Sequence, residues 1–466
     1  MAVRFLLNGA PRAESAASPT MTVLDWLRTS ARLTGTKEGC AEGDCGACTI
    51  LVGRRRDGAL RYEQVNSCLM VLAQLDGASV LTVEGVADGD RLHPAQQALL
   101  DADGTQCGFC TPGFVMAMVA LQQDGGAPSD ETIHEALAGN LCRCTGYRAI
   151  VDACRRLPQA SPAGYGEAIE PRSPAYQAQD QTFFAPETLE ELLALRARHP
   201  EAVVLAGGTD LGLRVSKDRE RWPLTLSIAA VEELRQVIET SDGIEIGGAA
   251  TYSDLLPHLD RHLPAFAALL RRLGSRQIRN LGTLAGNLAT ASPIGDTLPC
   301  LIALGASVRL RSQNATRVLA VEDFITSYRA TRLAADEIIE RISIPFMPSG
   351  SEFAAYKISK RFDQDISTVV AAFRLERDGD HVRNLHAVFG GMAARVQRAA
   401  ALEGALAGRP WSAPAGDIDD WLAQDFQPLS DHRGSAGYRL RAAAGLVRRF
   451  RLETGSPTVP IRLEAL

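Results

Sequence analysis

The sequence predicts an α+β protein of several domains, and three observations carry that reading. Its 466 residues exceed what one ordinary hydrophobic core organises, so three or four domains are expected. Eight of its ten cysteines fall before residue 145, in two spaced sets. A stretch at 158–178 containing Pro158, Pro162, Pro171 and Pro174 has the composition of an extended linker. Beyond it, glycine turns follow buried strand runs, and strand runs then give way to helical ones.

The chain opens on Val3-Arg4-Phe5-Leu6-Leu7, a strand running into a turn at Asn8-Gly9, without the long apolar region of a signal peptide. Thr22 is placed to cap a helix whose Val23, Leu24, Trp26 and Leu27 share one face and which Gly35 stops. Next comes Glu38-Gly39-Cys40-Ala41-Glu42-Gly43-Asp44-Cys45-Gly46-Ala47-Cys48, followed by a strand at 49–52, a basic turn at Arg54-Arg55-Arg56, and Cys68. The spacing C-x4-C-x2-C with a fourth cysteine downstream is that of a plant-type [2Fe–2S] site. A tight glycine-containing loop brings three thiolates to one small anionic core and turns its N–H groups inward. Zinc sites pair C-x2-4-C knuckles instead, so the spacing favours iron–sulfur over zinc. Short strands and one helix around this loop resemble the plant-type ferredoxin fold, a β-grasp, over residues 1–90.

The second set is Cys107-Gly108-Phe109-Cys110 and Cys142-Arg143-Cys144. Thr111 and Pro112 suit the start of an apolar helix over 113–123, Ser129 caps a second helix, and a third covers 147–157. Two cysteine pairs at helix ends can close on one metal centre, and taken alone that spacing suits zinc as well as iron.

Composition bounds the rest. A net charge of −6 argues against nucleic acid as a partner. No apolar run approaches the ~18 residues of a membrane span. Clustered cysteines in a large chain indicate metal in a reducing compartment, hence a cytoplasmic protein. Cys154 and Cys300, outside both sets, are expected to be buried structural thiols.

A plant-type loop followed by Cys107-Gly108-Phe109-Cys110-Thr111-Pro112-Gly113 and Asn140-Leu141-Cys142-Arg143-Cys144-Thr145-Gly146-Tyr147 resembles the iron–sulfur part of the molybdenum hydroxylases, the xanthine dehydrogenase family. All eight ligand positions of that pattern are cysteine. The resemblance implies two [2Fe–2S] clusters, one on Cys40, Cys45, Cys48 and Cys68, the other on Cys107, Cys110, Cys142 and Cys144, the latter in a helical-bundle domain over 91–157.

After the linker, a buried strand at 202–206 leads into Gly207-Gly208-Thr209-Asp210-Leu211. A glycine turn after a strand can bring backbone N–H groups to a diphosphate. It is not G-x-G-x-x-G, so nothing points to a Rossmann fold. The stretch from Arg279 to Asp296 is rich in small residues, hydroxyls and amides suited to lie against a flat cofactor. Together these resemble the family's FAD domain, a fold of the vanillyl-alcohol-oxidase type, expected over 179–346. The resemblance implies flavin contacts at Val204, Leu205, Ala206, Gly207, Gly208, Thr209, Asp210, Leu211, Leu273, Thr283, Gly286, Asn287, Thr290, Ser292, Ile294, Gly295, Asp296, Ile339 and Lys357. Leu273 stands where the family often has an aromatic; Asp296 and Lys357 would otherwise read as surface charges.

Strands at 351–360, 367–376 and 382–389, with a hairpin at Asp378-Gly379-Asp380, precede helical patterns at 394–407 and 438–452. This layout resembles the family's C-terminal flavoprotein domain, a sheet backed by helices, over 347–466. The resemblance implies an electron-transfer subunit without a catalytic residue for the substrate. Molybdopterin, on a large partner subunit, would oxidise hypoxanthine and xanthine to urate, and NAD⁺ would be reduced at FAD. The helical-domain cluster would face molybdenum, the ferredoxin-like cluster would face FAD, and the assembly would be a heterotetramer. Rival readings are another molybdenum hydroxylase, acting on an aldehyde, an N-heterocycle or an aromatic acyl-CoA, and a free-standing flavin–iron–sulfur reductase.

Overall fold

In a computed structural model the described residues are 2–56, 58–158, 173–414 and 416–455, and they bear out the multidomain α+β class. They form two compact units, one of residues 1–233, 251–253 and 274–283, the other of 234–250, 254–273 and 284–466. The division falls inside the stretch read as the FAD domain. Most of the predicted linker, 159–172, lies outside the described residues.

The first unit begins with a five-stranded sheet in the order Ala10–Glu14, Val3–Leu7, Ser79–Leu81, Thr49–Arg56, Ala59–Asn66. Val3–Leu7 and Ser79–Leu81 run parallel and the other pairs antiparallel. The predicted helix is Val23–Thr29, and its Thr22 hydroxyl accepts from the Asp25 N–H at 3.0 Å. It ends at Ser30, short of Gly35. Phe5 and Trp26 meet edge to face in the core with their ring centroids 5.2 Å apart. The three arginines belong to the strand Thr49–Arg56 and not to the turn, because pairing with Ala59–Asn66 continues to its end.

Four helices follow: Pro94–Asp101, Thr111–Gln123, Asp130–Leu137 and Arg148–Arg155. Ser129 caps the third as predicted, accepting from the Thr132 N–H at 3.1 Å. The second begins at Thr111, two residues before the predicted 113, with Cys110 rather than Thr111 at its cap position. Thr111–Gln123 is buried along its whole middle, from Gly113 to Leu121. Cys154 is fully buried.

The unit's second sheet has the order Ala175–Ala178, Gln181–Phe184, Leu224–Ser227, Val203–Leu205. Its first strand lies inside the stretch predicted as linker. Tyr176 explains the difference: it is buried and its hydroxyl donates to the Ala17 carbonyl at 2.5 Å. Tyr176, Phe183, Leu205 and Trp222 join the core of the β-grasp sheet, so the two sheets share one apolar interior.

The second unit holds an antiparallel five-stranded sheet in the order Val237–Glu239, Gly243–Gly247, Ile338–Pro345, Ser307–Arg311, Thr316–Ala320. A second antiparallel sheet orders Glu352–Ile358, Val369–Asp378, His381–Gly390 and Gln397–Arg398. Gly379, at φ 57°, makes the predicted hairpin. Helices Ala400–Leu406, Ile418–Asp425 and Ala436–Gly455 back this sheet, around Phe373, Phe389, Trp411 and Phe450. The helix predicted over 394–407 starts later because Gln397–Arg398 pairs with His381–Gly390. Cys300 is fully buried. No helix among the described residues is long and apolar enough to cross a membrane.

Candidate redox centres

The eight cysteines of the two sets come together as four pairs. Cys48 and Cys68 lie Sγ to Sγ at 3.3 Å, and Cys40 is hydrogen-bonded to Cys45. In the helical part Cys110 pairs with Cys142, and Cys107 with Cys144. Two thiolate pairs per site are what a dinuclear cluster needs, two ligands to each iron. Four thiols at each site fit a [2Fe–2S] cluster.

The backbone prepares each site for negative charge. The Glu42 and Cys45 N–H groups donate to Cys40 Sγ at 3.4 and 3.3 Å. The Cys45 thiol is the larger influence, and together they hold Cys40 down at about 5 against the opposing effect of burial. At the helical site Cys142 Sγ accepts from the Cys144 and Thr145 N–H groups at 3.4 Å each and from the Thr145 hydroxyl at 3.3 Å. The Cys142 N–H donates to the Tyr147 hydroxyl at 3.0 Å, with Tyr147 itself at φ 70°. Cys107 and Cys144 are exposed and Cys142 is buried.

The ferredoxin-like loop is gripped from two sides within the first unit. On one side the Leu141 N–H donates to the Cys45 carbonyl at 3.0 Å, and Asn140 Nδ2 donates to the Gly46 carbonyl at 3.0 Å. Leu141 is bonded directly to Cys142, so one hydrogen bond links the chain at Cys45 to the chain at Cys142. A side chain at Gly46 would put its Cβ 2.1 Å from the Gly139 carbonyl oxygen, so only glycine permits this approach. On the other side the helix Leu211–Ser216 follows the Gly207-Gly208 turn. Ser216 Oγ donates to the Ala41 carbonyl at 2.7 Å, and Lys217 Nζ to the Cys40 carbonyl at 2.5 Å. Lys217 also pairs with Glu42 at 3.2 Å.

The residues predicted to contact flavin fall in both units. In the first, Val204 and Leu205 end a strand, and residues 206–210 form the turn before the helix Leu211–Ser216. A Cβ on Gly207 would lie 1.7 Å from the Leu281 carbonyl oxygen, so this turn presses on the backbone just before Thr283. In the second unit Gly286, Asn287 and Thr290 lie on the helix Leu284–Thr290, and Asn287 Oδ1 accepts from the Thr297 hydroxyl at 2.6 Å. Ser292, Ile294, Gly295 and Asp296 precede the helix Thr297–Ala303, and Ile339 is buried in the strand Ile338–Pro345.

Asp296 and Lys357 are not surface charges. Both are buried and paired at 2.6 Å, and Ser367 Oγ donates to the other carboxylate oxygen at 2.5 Å. A buried pair held by further hydrogen bonds is a specific arrangement, because losing either partner strands a charge in the interior. Lys357 also donates to the Arg272 carbonyl at 3.2 Å, beside Leu273. The guanidinium of Arg272 sits 4.4 Å over the Phe362 ring, an aromatic that sequence reasoning did not single out. Lys217 and Gln277 were also missed. Lys217 carries no pattern signal, and Gln277 stands two residues before the glycine-rich stretch that drew attention.

Comparison with known proteins matches the chain to four domain families in succession. Residues 5–73 match the 2Fe-2S iron-sulfur cluster binding domain and 82–155 the [2Fe-2S] binding domain. Residues 176–347 match the FAD binding domain in molybdopterin dehydrogenase, and 354–454 the CO dehydrogenase flavoprotein C-terminal domain. The xanthine dehydrogenase of Emericella nidulans is 33% identical over 96% of this chain and 38% of its own length. The xanthine dehydrogenase/oxidase of Rattus norvegicus is 33% identical over 84% of this chain and 34% of its own. This chain thus spans little more than a third of those relatives. Among solved structures, a carbon monoxide dehydrogenase from Hydrogenophaga pseudoflava that lacks the Mo-pyranopterin moiety of its molybdenum cofactor superposes with a TM-score of 0.54. It is 26% identical over 57% of this chain and 94% of the matched one. Four modules in this order, over nearly the whole sequence, show that the chain belongs to the molybdenum hydroxylase family and carries that family's iron–sulfur and FAD-binding modules.

Proposed function

We propose that this chain is the iron–sulfur and FAD subunit of a xanthine dehydrogenase. It takes electrons from a molybdopterin-bearing partner subunit, passes them through two [2Fe–2S] clusters to FAD, and delivers them to NAD⁺. FAD supplies the change from one-electron to two-electron chemistry, accepting electrons singly and releasing a hydride. The cluster ligands are Cys40, Cys45, Cys48 and Cys68, and Cys107, Cys110, Cys142 and Cys144. The flavin contacts are those named from the resemblance, with the Asp296–Lys357 pair among them. The assembly is a heterotetramer, and the oxidation of hypoxanthine and xanthine takes place on the partner.

One observation carries the reading. The Cys40–Cys48 loop bonds on one side to the segment that carries Cys142 and on the other to the helix that leaves the Gly207-Gly208 turn. That order, helical site then ferredoxin-like site then flavin turn, is the order an electron wire from a partner to FAD requires. The exposure of Cys107 and Cys144 agrees with a partner approaching the helical end.

The reading is tested on the purified, reconstituted chain. It should hold about four irons and one FAD. It should oxidise NADH with an artificial acceptor and leave xanthine untouched until a molybdopterin subunit is added. Zinc in place of iron, or turnover of xanthine by this chain alone, would overturn it. Likeness to a carbon monoxide dehydrogenase favours a second reading, the same wire serving a different molybdenum hydroxylase. An assembled enzyme that reduces NAD⁺ with another substrate but not with xanthine would select it.

A further inference from the structure

A buried amide from the FAD-binding module reaches both cluster loops. Gln277 has no exposed surface, yet it belongs to the short helix Arg276–Arg279 and not to either cysteine set. Its Nε2 donates to Asn140 Oδ1 at 2.9 Å and to Thr49 Oγ1 at 3.2 Å. Asn140 Nδ2 in turn donates to the Gly46 carbonyl at 3.0 Å, and the Thr49 hydroxyl donates to the same carbonyl at 2.6 Å. A third donor, the Thr49 N–H, reaches it at 3.0 Å. Three donors on one carbonyl polarise the peptide between Gly46 and Ala47 and strengthen its N–H. That N–H, on Ala47, donates to the Cys45 sulfur. Hydrogen bonds to thiolate sulfurs help set the potential of an iron–sulfur centre.

The role of Gln277 follows from the symmetry of an amide. An Asn side chain can present either oxygen or nitrogen to a neighbour. With Gln277 donating to Oδ1, Asn140 must point its nitrogen at the Gly46 carbonyl. Without that donor the Asn140 amide is free to turn, which sets its oxygen against a carbonyl oxygen and loosens the peptide. Asn140 is 3% exposed and Thr49 2%, so no bulk solvent substitutes for the missing bond.

We propose that Gln277 is a positioning residue for the ferredoxin-like centre. Through Asn140 and Thr49 it aligns the Gly46–Ala47 peptide, strengthens the bond from Ala47 to Cys45, and raises that centre's reduction potential relative to the helical one. The proposal rests on the two-cluster reading above. It adds a residue of the flavin module that makes downhill electron flow depend on the module's presence.

The test is a redox titration of the assembled holoenzyme followed by electron paramagnetic resonance, which reads the two centres separately. Gln277→Met keeps the side-chain length, removes both donors, and also removes Oε1, a buried acceptor without a hydrogen-bond partner. The variant should therefore fold with its iron content intact. At a fixed potential near the midpoint, the ratio of reduced to oxidised ferredoxin-like centre should fall about tenfold, or about 59 mV for a one-electron couple. The helical signal should stay where it is. Thr49→Val should move the same signal in the same direction, and Thr49→Ser, which keeps the hydroxyl, should restore it. An unmoved ferredoxin-like midpoint in a fully loaded Gln277→Met would overturn the proposal, as would an equal shift of both centres. Wild-type protein showing a single signal would instead overturn the two-cluster reading on which the proposal stands.

Discussion

At the scale of single residues, close packing makes one atom decisive. Gly207 is the sharpest case, since any Cβ there would lie 1.7 Å from a backbone oxygen that cannot move aside as a flexible side chain could. Gly207→Ala should force the turn away from Leu281 at a cost of about 1–3 kcal/mol. If the turn cradles flavin phosphates, the variant should lose most of its FAD while keeping its iron. Flavin absorbance against iron per chain measures this directly, and full flavin retention would remove the 206–210 turn from the binding site. Asp296 and Lys357 teach the reverse lesson. Their residue types alone read as surface charge, and only burial shows that each exists for the other.

At the scale of elements, the C-terminal sheet carries a titratable group in a hostile setting. His386 lies on the strand His381–Gly390, where burial, with the Arg374 and Arg398 charges adding to it, pushes its imidazole down to about 4. An ordinary histidine in the unfolded chain titrates near 6.5. Between about 4 and 6.5 the unfolded state therefore binds a proton that the folded state refuses, so stability falls as pH drops through that window. Above 6.5 the effect is flat. Glu403, raised by burial in spite of Arg398, pulls the other way at lower pH. Comparing His386→Gln with wild type isolates the histidine. The wild-type melting temperature should drop between pH 7 and 5, and the variant's should drop less. Equal slopes would mean that His386 is protonated in the fold. Nothing in the sequence marked this residue, because its setting is made by the two strands that pair with its own.

Much else at this scale was legible in advance, and the reasons are physical. Helices with a capping hydroxyl declare their own start, as Thr22 and Ser129 did. The hairpin at Gly379 declared itself by its turn residues. Helix ends were less legible, since Val23–Thr29 stops before the glycine that seemed to terminate it. The strand Ala175–Ala178 was hidden by a proline-rich neighbourhood and revealed by one buried tyrosine. Cysteine spacing picked out two sets that the fold brings together in pairs, yet it could not separate iron from zinc at the helical site. What points to iron there is the company of the ferredoxin-like loop and the match of residues 82–155 to the [2Fe-2S] binding domain, not the local spacing. The bonds from Lys217 and Gln277 to the cluster loops link residues more than 130 positions apart in the chain, beyond the reach of any local pattern.

At the scale of the whole molecule, the question is whether the two clusters act in series. The ligand sets sit in different elements: one in the loop and sheet of the β-grasp, the other at the ends of packed helices. They touch through Asn140 and Leu141, and Leu51 and Leu81 of the β-grasp sheet pack into the core of the helical part. Cys142→Ser should therefore remove the helical cluster and leave the ferredoxin-like one, so that electron paramagnetic resonance of the reduced variant loses one of two signals. Loss of both would mean that the two parts fold as one unit. Series connection makes a further demand on the assembled enzyme. The variant should keep the NADH reaction with an artificial acceptor, because in the proposed order FAD and the ferredoxin-like cluster lie beyond the missing site. It should lose substrate-driven NAD⁺ reduction, because the first station after molybdenum is missing. A variant that retained substrate-driven reduction would show that electrons bypass the helical site, and the order helical site, ferredoxin-like site, flavin would have to be abandoned.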